Sequence, residues 1–168
     1  MLIQNKLGNL LHHNSNGKSI DFLKLEWYES RKRILRKQTE SGREVSLKYL
    51  QENPDHKEGD ILFEDESSLI ALSFLPCECI VVSPKNMHEM ASVCYEIGNK
   101  HLPLFYEKDQ LLVPFENPLF QILSAQGYEV FKEKRKLLTP LKTTVSAHES
   151  GNGGTLFSKI MKLKNTAS

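Results

Sequence analysis

The chain has 168 residues, 39% of them hydrophobic, which is enough for one large core or two small ones. Its 22 basic and 21 acidic side chains leave a net charge of +1, so overall charge makes no case for binding nucleic acid or an anionic membrane. There is no apolar run long enough to span a bilayer, no secretory type of N-terminus, and an odd, sparse set of cysteines (Cys77, Cys79 and Cys94). These point to the reducing cytosol and argue against a disulfide framework.

Residues 1–75 read as a small antiparallel β domain. Phe22 to Trp27, Arg33 to Thr39, Glu44 to Tyr49, Asp60 to Phe63 and Leu69 to Phe74 are short strand candidates, separated by Glu-Ser-Gly, Asn-Pro-Asp and Glu-Asp-Glu-Ser-Ser turn chemistry. Val45, Leu47 and Tyr49 alternate with Glu44, Ser46 and Lys48, the period of a strand with one wet face. Pro76 starts a different pattern, which runs to about residue 140. Glu78 to Ser83 is a strand rich in β-branched residues, and either Ser83-Pro84 or Asn86 with Glu89 starts a helix. Its predicted apolar stripe is Met87, Met90, Ala91, Cys94 and Ile97, with Gly98-Asn99 as its left-handed stop and Pro103 beyond.

Leu104 to Tyr106 and Leu111 to Phe115 read as a hairpin, Asn117 to Gln126 as a second helix with Pro118 at its start and Gly127 at its end, and Tyr128 to Lys134 as a closing strand. The order β-α-β-β-α-β predicts a ferredoxin-like domain over residues 76–140, so the fold class is α+β. Residues 141–168 are small and polar, the composition of a flexible tail, with a short amphipathic piece at Thr155 to Lys164.

No sequence motif anchors an enzyme: glycine-rich phosphate loop, Gly-x-Ser-x-Gly elbow, His-Glu-x-x-His pair and zinc-ribbon cysteine spacing are all missing. Cys77 and Cys79 fall on one face of a strand and form a candidate soft-metal pair, but a structural role is favoured because free cysteine is a small, usually buried residue. Cys94 belongs to the helix stripe. His12, His13, His56 and His88 fit solvated surface positions. His101 follows Cys94 by seven residues, which places its imidazole at the rim of the helix's apolar surface, although a histidine near a helix C-terminus also suits the helix dipole with no further role. A two-fold dimer through that surface brings each His101 to its own copy, and imidazole suits nickel, copper and zinc.

Glu96-Ile97-Gly98-Asn99-Lys100-His101 resembles the E-x-G-N-x-H signature of the urease accessory protein E family, the nickel metallochaperones of urease assembly. Leu25 to Lys32, Thr39-x-x-Gly42, Gly59 to Phe63 and Thr144-Val145-Ser146 before His148 follow that family's order, so the similarity covers about residues 1–150. The resemblance implies an N-terminal β domain similar to a chaperone peptide-binding module and a ferredoxin-like domain through which two chains pair. It also implies His101 as the nickel ligand shared across the dimer axis, His148 as an auxiliary ligand on the tail, and as partners the urease apoprotein and its accessory GTPase.

The chain departs from relatives with a histidine-rich tail or extra histidines on the hairpin, since Gln110, Leu111 and Leu112 stand there. One Ni(II) per dimer is therefore expected rather than storage, with Cu(II) or Zn(II) as competitors. Binding requires neutral imidazole and is expected to weaken as pH falls through the ordinary histidine range, about 6.5. The alternative is a metal-independent protein- or RNA-binding module. Against RNA, Phe105 and Tyr106 are adjacent, so they point to opposite faces of a strand, and the basic-Gly-aromatic signature is missing.

Overall fold

Alternation along residues 44–50 is realised as a wet and a dry face: Val45, Leu47 and Tyr49 are buried, whereas Glu44, Lys48 and Leu50 are exposed. The computed structural model describes residues 1–50 and 54–141. In chain order its elements are β1 (Leu2–Ile3), β2 (Gly8–Asn9), β3 (Ser19–Leu25), β4 (Ile34–Gln38), β5 (Glu44–Lys48), β6 (Asp60–Glu64), β7 (Ser68–Phe74) and β8 (Cys77–Val82). Helix α1 (Met87–Asn99), β9 (Phe105–Glu107), β10 (Gln110–Pro114), helix α2 (Asn117–Ala125) and β11 (Val130–Arg135) follow.

The first half folds as two sheets, ordered β1-β5-β4 and β2-β6-β7-β3. Leu23, Leu25, Val45, Leu47, Ile70 and Leu72 interleave in their shared core. The expected all-antiparallel arrangement is corrected here to a mixed one. β3 runs parallel to β7, in register from Ser19 opposite Ser68 to Leu25 opposite Phe74, and β1 runs parallel to β5. A parallel pair needs a crossover, and the β4–β5 hairpin, lying in the other sheet, forms part of it. Alternation within a strand does not encode the direction of a partner distant in sequence. β7 lies between β6 and β3, and accordingly its residues from Ser68 to Leu72 are all buried.

His56 also corrects its expected surface placement, being 3% exposed. Its ring lies edge-on to Tyr49 at 5.1 Å, its Nε2 donates to the Lys32 carbonyl at 3.2 Å, and its backbone N–H donates to the Ser30 carbonyl. The Asn-Pro-Asp signal marked a turn without saying that His56 beside it points inward. Neither His56 Nδ1 nor the Tyr49 hydroxyl has a hydrogen-bond partner among the described residues.

Burial pushes the His56 imidazole below its ordinary value, helped by the Lys6 cation and opposed by the Lys32 carbonyl, Asp60 and Asp55. The unfolded chain therefore binds the proton first, so this residue's contribution to stability falls as pH drops from the ordinary histidine value toward the folded one. We expect the metal-free protein to lose urea resistance between pH 7.5 and 5.5 along a steeper slope than its His56→Gln variant. Parallel slopes would contradict this.

In the second half the strand order is β11-β8-β10-β9, with every neighbouring pair antiparallel. One face of this sheet presents Ile80, Val82, Leu111 and Val113 to both helices, which bury Val93 and Ile97 from α1 and Leu119 and Leu123 from α2. The other face, including Cys79, Val81, Phe105 and Leu112, is covered by Leu137 and by Trp27 from the first half. Trp27 meets Phe105 edge to face at 5.9 Å. The two halves are also tied by Glu58, whose carboxylate accepts from the Phe74 N–H and the Lys136 ammonium, each at 2.7 Å.

Candidate metal site at the end of helix α1

Helix α1 starts at the later of the two predicted caps: the Asn86 side chain accepts from the Glu89 N–H at 2.9 Å, and the Glu89 carboxylate reaches back to the Lys85 N–H. Its buried side is rotated from the expected stripe. Val93 and Ile97 are fully buried, with Met90 and Cys94 packed beside them. Ala91 is exposed, and Met87 is 81% exposed. A stripe drawn through Met87, Ala91 and Cys94 leans to one side of the true contact line, which only the position of the sheet beneath fixes.

Met87, Ala91 and Tyr95 therefore form an outward ridge at steps of four residues, with Tyr95 73% exposed. Beside it lies an open groove of about 530 Å³ lined by His88, Ser92, Tyr95, Glu96, Gln126 and Tyr128. Of these residues, the sequence marks only His88, as a surface histidine, and Glu96, as the first residue of the family signature. The recurrence of Met87, Ala91 and Tyr95 at i, i+4 and i+8 was the available signal for this outer face.

The helix end differs from the Gly98-Asn99 stop. Both residues stay within α1, and Lys100 caps it with a right-handed conformation. The left-handed residue is His101 itself, with φ at 56° and its N–H donating to the Gly98 carbonyl at 3.0 Å. A non-glycine residue in this region carries backbone strain of order 1–3 kcal/mol and is concentrated at functional sites. The imidazole is exposed where the helix's last carbonyls leave partial negative charge, an orientation that also favours a cation.

The structure separates most of the other candidates from this point. Thirteen positions along the chain divide His88 from His101, roughly 18–20 Å at the helical rise, so the two do not converge within one chain. His12 is exposed, and His13 Nε2 lies 3.1 Å from the Glu64 carboxylate. Cys79 donates its S–H to the Glu133 carbonyl at 3.3 Å. Burial, then the neighbouring Cys77, push the Cys79 thiol up to about 11, while Cys77 and Cys94 are raised chiefly by burial. Burial thus works against the thiolate, the form that binds metal.

On the hairpin, Leu111 and Leu112 are buried, and Gln110 is engaged by Ser83 and Arg135. Among the described residues no group of three or more His, Cys, Asp or Glu side chains is placed to hold a metal ion. His148 lies outside the described residues. Also among the described residues, no helix is long and apolar enough to cross a membrane.

Comparison with known proteins supplies the family. Residues 3–75 match the model of the UreE urease accessory protein N-terminal domain, and residues 78–155 match that of its C-terminal domain. The chain is 42% identical over 163 residues to a urease accessory protein UreE from Flavobacterium johnsoniae, covering 97% of this chain and 99% of that one. It is 44% identical over 145 residues to the protein of the same name from Actinobacillus pleuropneumoniae (84% and 78% of the two chains), and 36% identical over 154 residues to that of Helicobacter pylori (89% and 90%). Matched along nearly its whole described length, the chain belongs to the UreE urease accessory protein family, a family of accessory chaperones rather than enzymes.

Proposed function

We propose that this chain is a nickel metallochaperone of urease maturation, which carries Ni(II) between the His101 imidazoles of two chains and passes it to the urease apoprotein. The observation that carries this reading is His101 itself, an exposed imidazole held in a left-handed conformation at the end of a packed helix. A single described chain offers this point too few donors to close a metal site, and a second copy supplies the matching imidazole. The exposed Met87 and Tyr95 on the same helix are the apolar surface through which we expect the copies to meet.

The β-α-β-β-α-β order with both helices on one sheet face supports a ferredoxin-like pairing domain over residues 76–140, preceded by a β domain over residues 1–75. His148 is proposed as the auxiliary ligand, and the accessory GTPase as the docking partner, in the cytoplasm. A site of few nitrogen donors exchanges its metal ligand by ligand, which suits delivery. The same chemistry lets Cu(II) or Zn(II) compete, so selectivity rests on supply and docking.

The RNA-binding alternative requires aromatic side chains free on the sheet face. Phe105 is buried against Trp27, and the Tyr106 hydroxyl is engaged by Asp109 at 2.6 Å, which weighs against it.

Calorimetric nickel titration combined with mass measurement in solution tests the proposal. We expect a dimer with one tight site per two chains, and we expect Tyr95→Glu to yield monomers without that site. One tight nickel per monomer, or no saturable nickel binding, would defeat it.

A further inference from the structure

We propose that His56 is an acid-sensitive latch: neutral, it pins the segment from Trp27 to Lys32, and protonated it releases that segment and, with it, the Trp27 contact between the two halves of the chain. The inference stands apart from the nickel reading.

His56 holds the segment at two points, with its backbone N–H on the Ser30 carbonyl at 2.9 Å and its Nε2 on the Lys32 carbonyl at 3.2 Å. Within the segment the Ser30 N–H donates to the Trp27 carbonyl and the Lys32 N–H to the Glu29 carbonyl, so residues 27–32 are consecutive turns that move together. Among the described residues, His56 is the one residue outside the segment to which its backbone is bonded. The buried Glu29 carboxylate supplies a softer tie. It accepts from the Glu26 N–H, at the start of the same turn, and pairs with the flexible side chains of Lys32 and Lys37. At the far end, Trp27 packs on Phe105 and joins Cys79, Val81 and Leu112 on the sheet of the second half.

Protonation undoes the hold because of where the second proton goes. A carbonyl only accepts, so Nε2 carries the hydrogen of the neutral ring and the second proton goes to Nδ1, which is buried and without a partner among the described residues. The groups around it do not accept that proton's hydrogen bond. The Tyr49 hydroxyl of β5 is itself unpartnered, and burial, then Asp60, push it up to about 12, so it stays neutral. The Asp60 carboxylate, at the start of β6, is already taken by the Lys6 ammonium, the Asn9 amide and the Lys57 N–H. Lys6 repels the imidazolium, and the Asp55 carboxylate, which favours it, is exposed to solvent. From the pinned segment, Glu29 and Lys32 are paired with each other. An imidazolium kept in place is therefore a buried charged donor with no acceptor, whereas one that swings out is hydrated. Asp55 adds to the bias. It holds a left-handed backbone, φ 45°, so the loop that carries His56 is strained in the latched state and relaxes as it opens.

Trp27 is the chain's only tryptophan, so its fluorescence reads the contact directly. In the full chain without added metal, we expect its emission to shift to the red and acrylamide quenching to rise as pH falls from 7.5 to 5.5. The open population should grow by up to about tenfold per pH unit below the ordinary histidine value. Far-UV circular dichroism and the amide protection of Ile80 and Val113 should hold over that range, while the His56 amide loses protection beyond the intrinsic effect of pH. His56→Gln keeps a donor for the Lys32 carbonyl but cannot take the proton, and its Trp27 signal should be flat. In the parent protein, the NMR titration of the His56 ring should share its midpoint with the fluorescence change, a check that does not depend on the variant. The proposal is overturned by a Trp27 signal that is flat in the parent or equally pH-dependent in the variant, or by midpoints that differ. It is also overturned if the fluorescence changes only together with loss of secondary structure, because acid then unfolds the chain as a whole.

Discussion

Replacing His101 by alanine is expected to remove the high-affinity nickel site while leaving a folded dimer. Loss of even an outer-shell partner of a metal ligand costs about 10–100-fold in affinity, so loss of the shared imidazole from both chains should cost roughly 100-fold or more. The backbone at this position allows a sharper test. His101 has φ at 56°, a conformation that glycine adopts freely and asparagine tolerates better than most residues. His101→Gly should therefore lose nickel yet match or exceed the parent's stability, by up to about 1 kcal/mol, and His101→Asn should lose nickel with little change in stability. Together these variants separate the imidazole from the strain: a residue kept only to end the helix would be improved by glycine at no functional cost. Isothermal titration with nickel, read beside urea midpoints, checks both quantities. Unchanged nickel affinity in all three variants would falsify the assignment of His101.

Ile97→Ala is the substitution expected to cost most in stability, about 2–5 kcal/mol, with Ile97→Val costing about 0.5–1.5 kcal/mol. Ile97 is fully buried in a cluster with Ile80, Val82, Leu111 and Val113, and it lies in the last turns of α1. Its carbonyl accepts from the Lys100 N–H at 3.1 Å, next to the Gly98 carbonyl that accepts from His101. Truncating it removes the packing that holds the end of the helix, so nickel affinity should fall along with the denaturant midpoint. Ile97→Val, which keeps most of that contact, should retain nickel binding. An alanine variant with an unchanged midpoint would mean that the helix end is held by something other than this core.

The order of strands and helices across residues 19–135 was legible from periodicity and turn chemistry, because each such signal is local. Val45, Leu47 and Tyr49 declared their buried face, and Asn86 with Glu89 declared a helix start. β1 and β2 escaped notice because a strand of two residues has no period. The parallel pairing of β3 with β7, the inward turn of His56 and the rotation of the α1 stripe onto Val93 depend on partners distant in the chain, and local patterns do not carry these.

At the candidate site the division is similar. The family signature through Glu96-Ile97-Gly98-Asn99-Lys100-His101 singled out the histidine, because it is a string of residue types in a fixed order. Only the tertiary structure placed the left-handed residue at His101 instead of at Gly98-Asn99, with Ile97 packed into the core in the last turns of the helix. Likewise, the sequence contained Arg31, Arg33, Arg36 and Lys48 but not their shared exposure around β4, which among the described residues pairs with another strand on one side only. That depended on β5 taking one side of the strand and β3 and His56 closing its two ends.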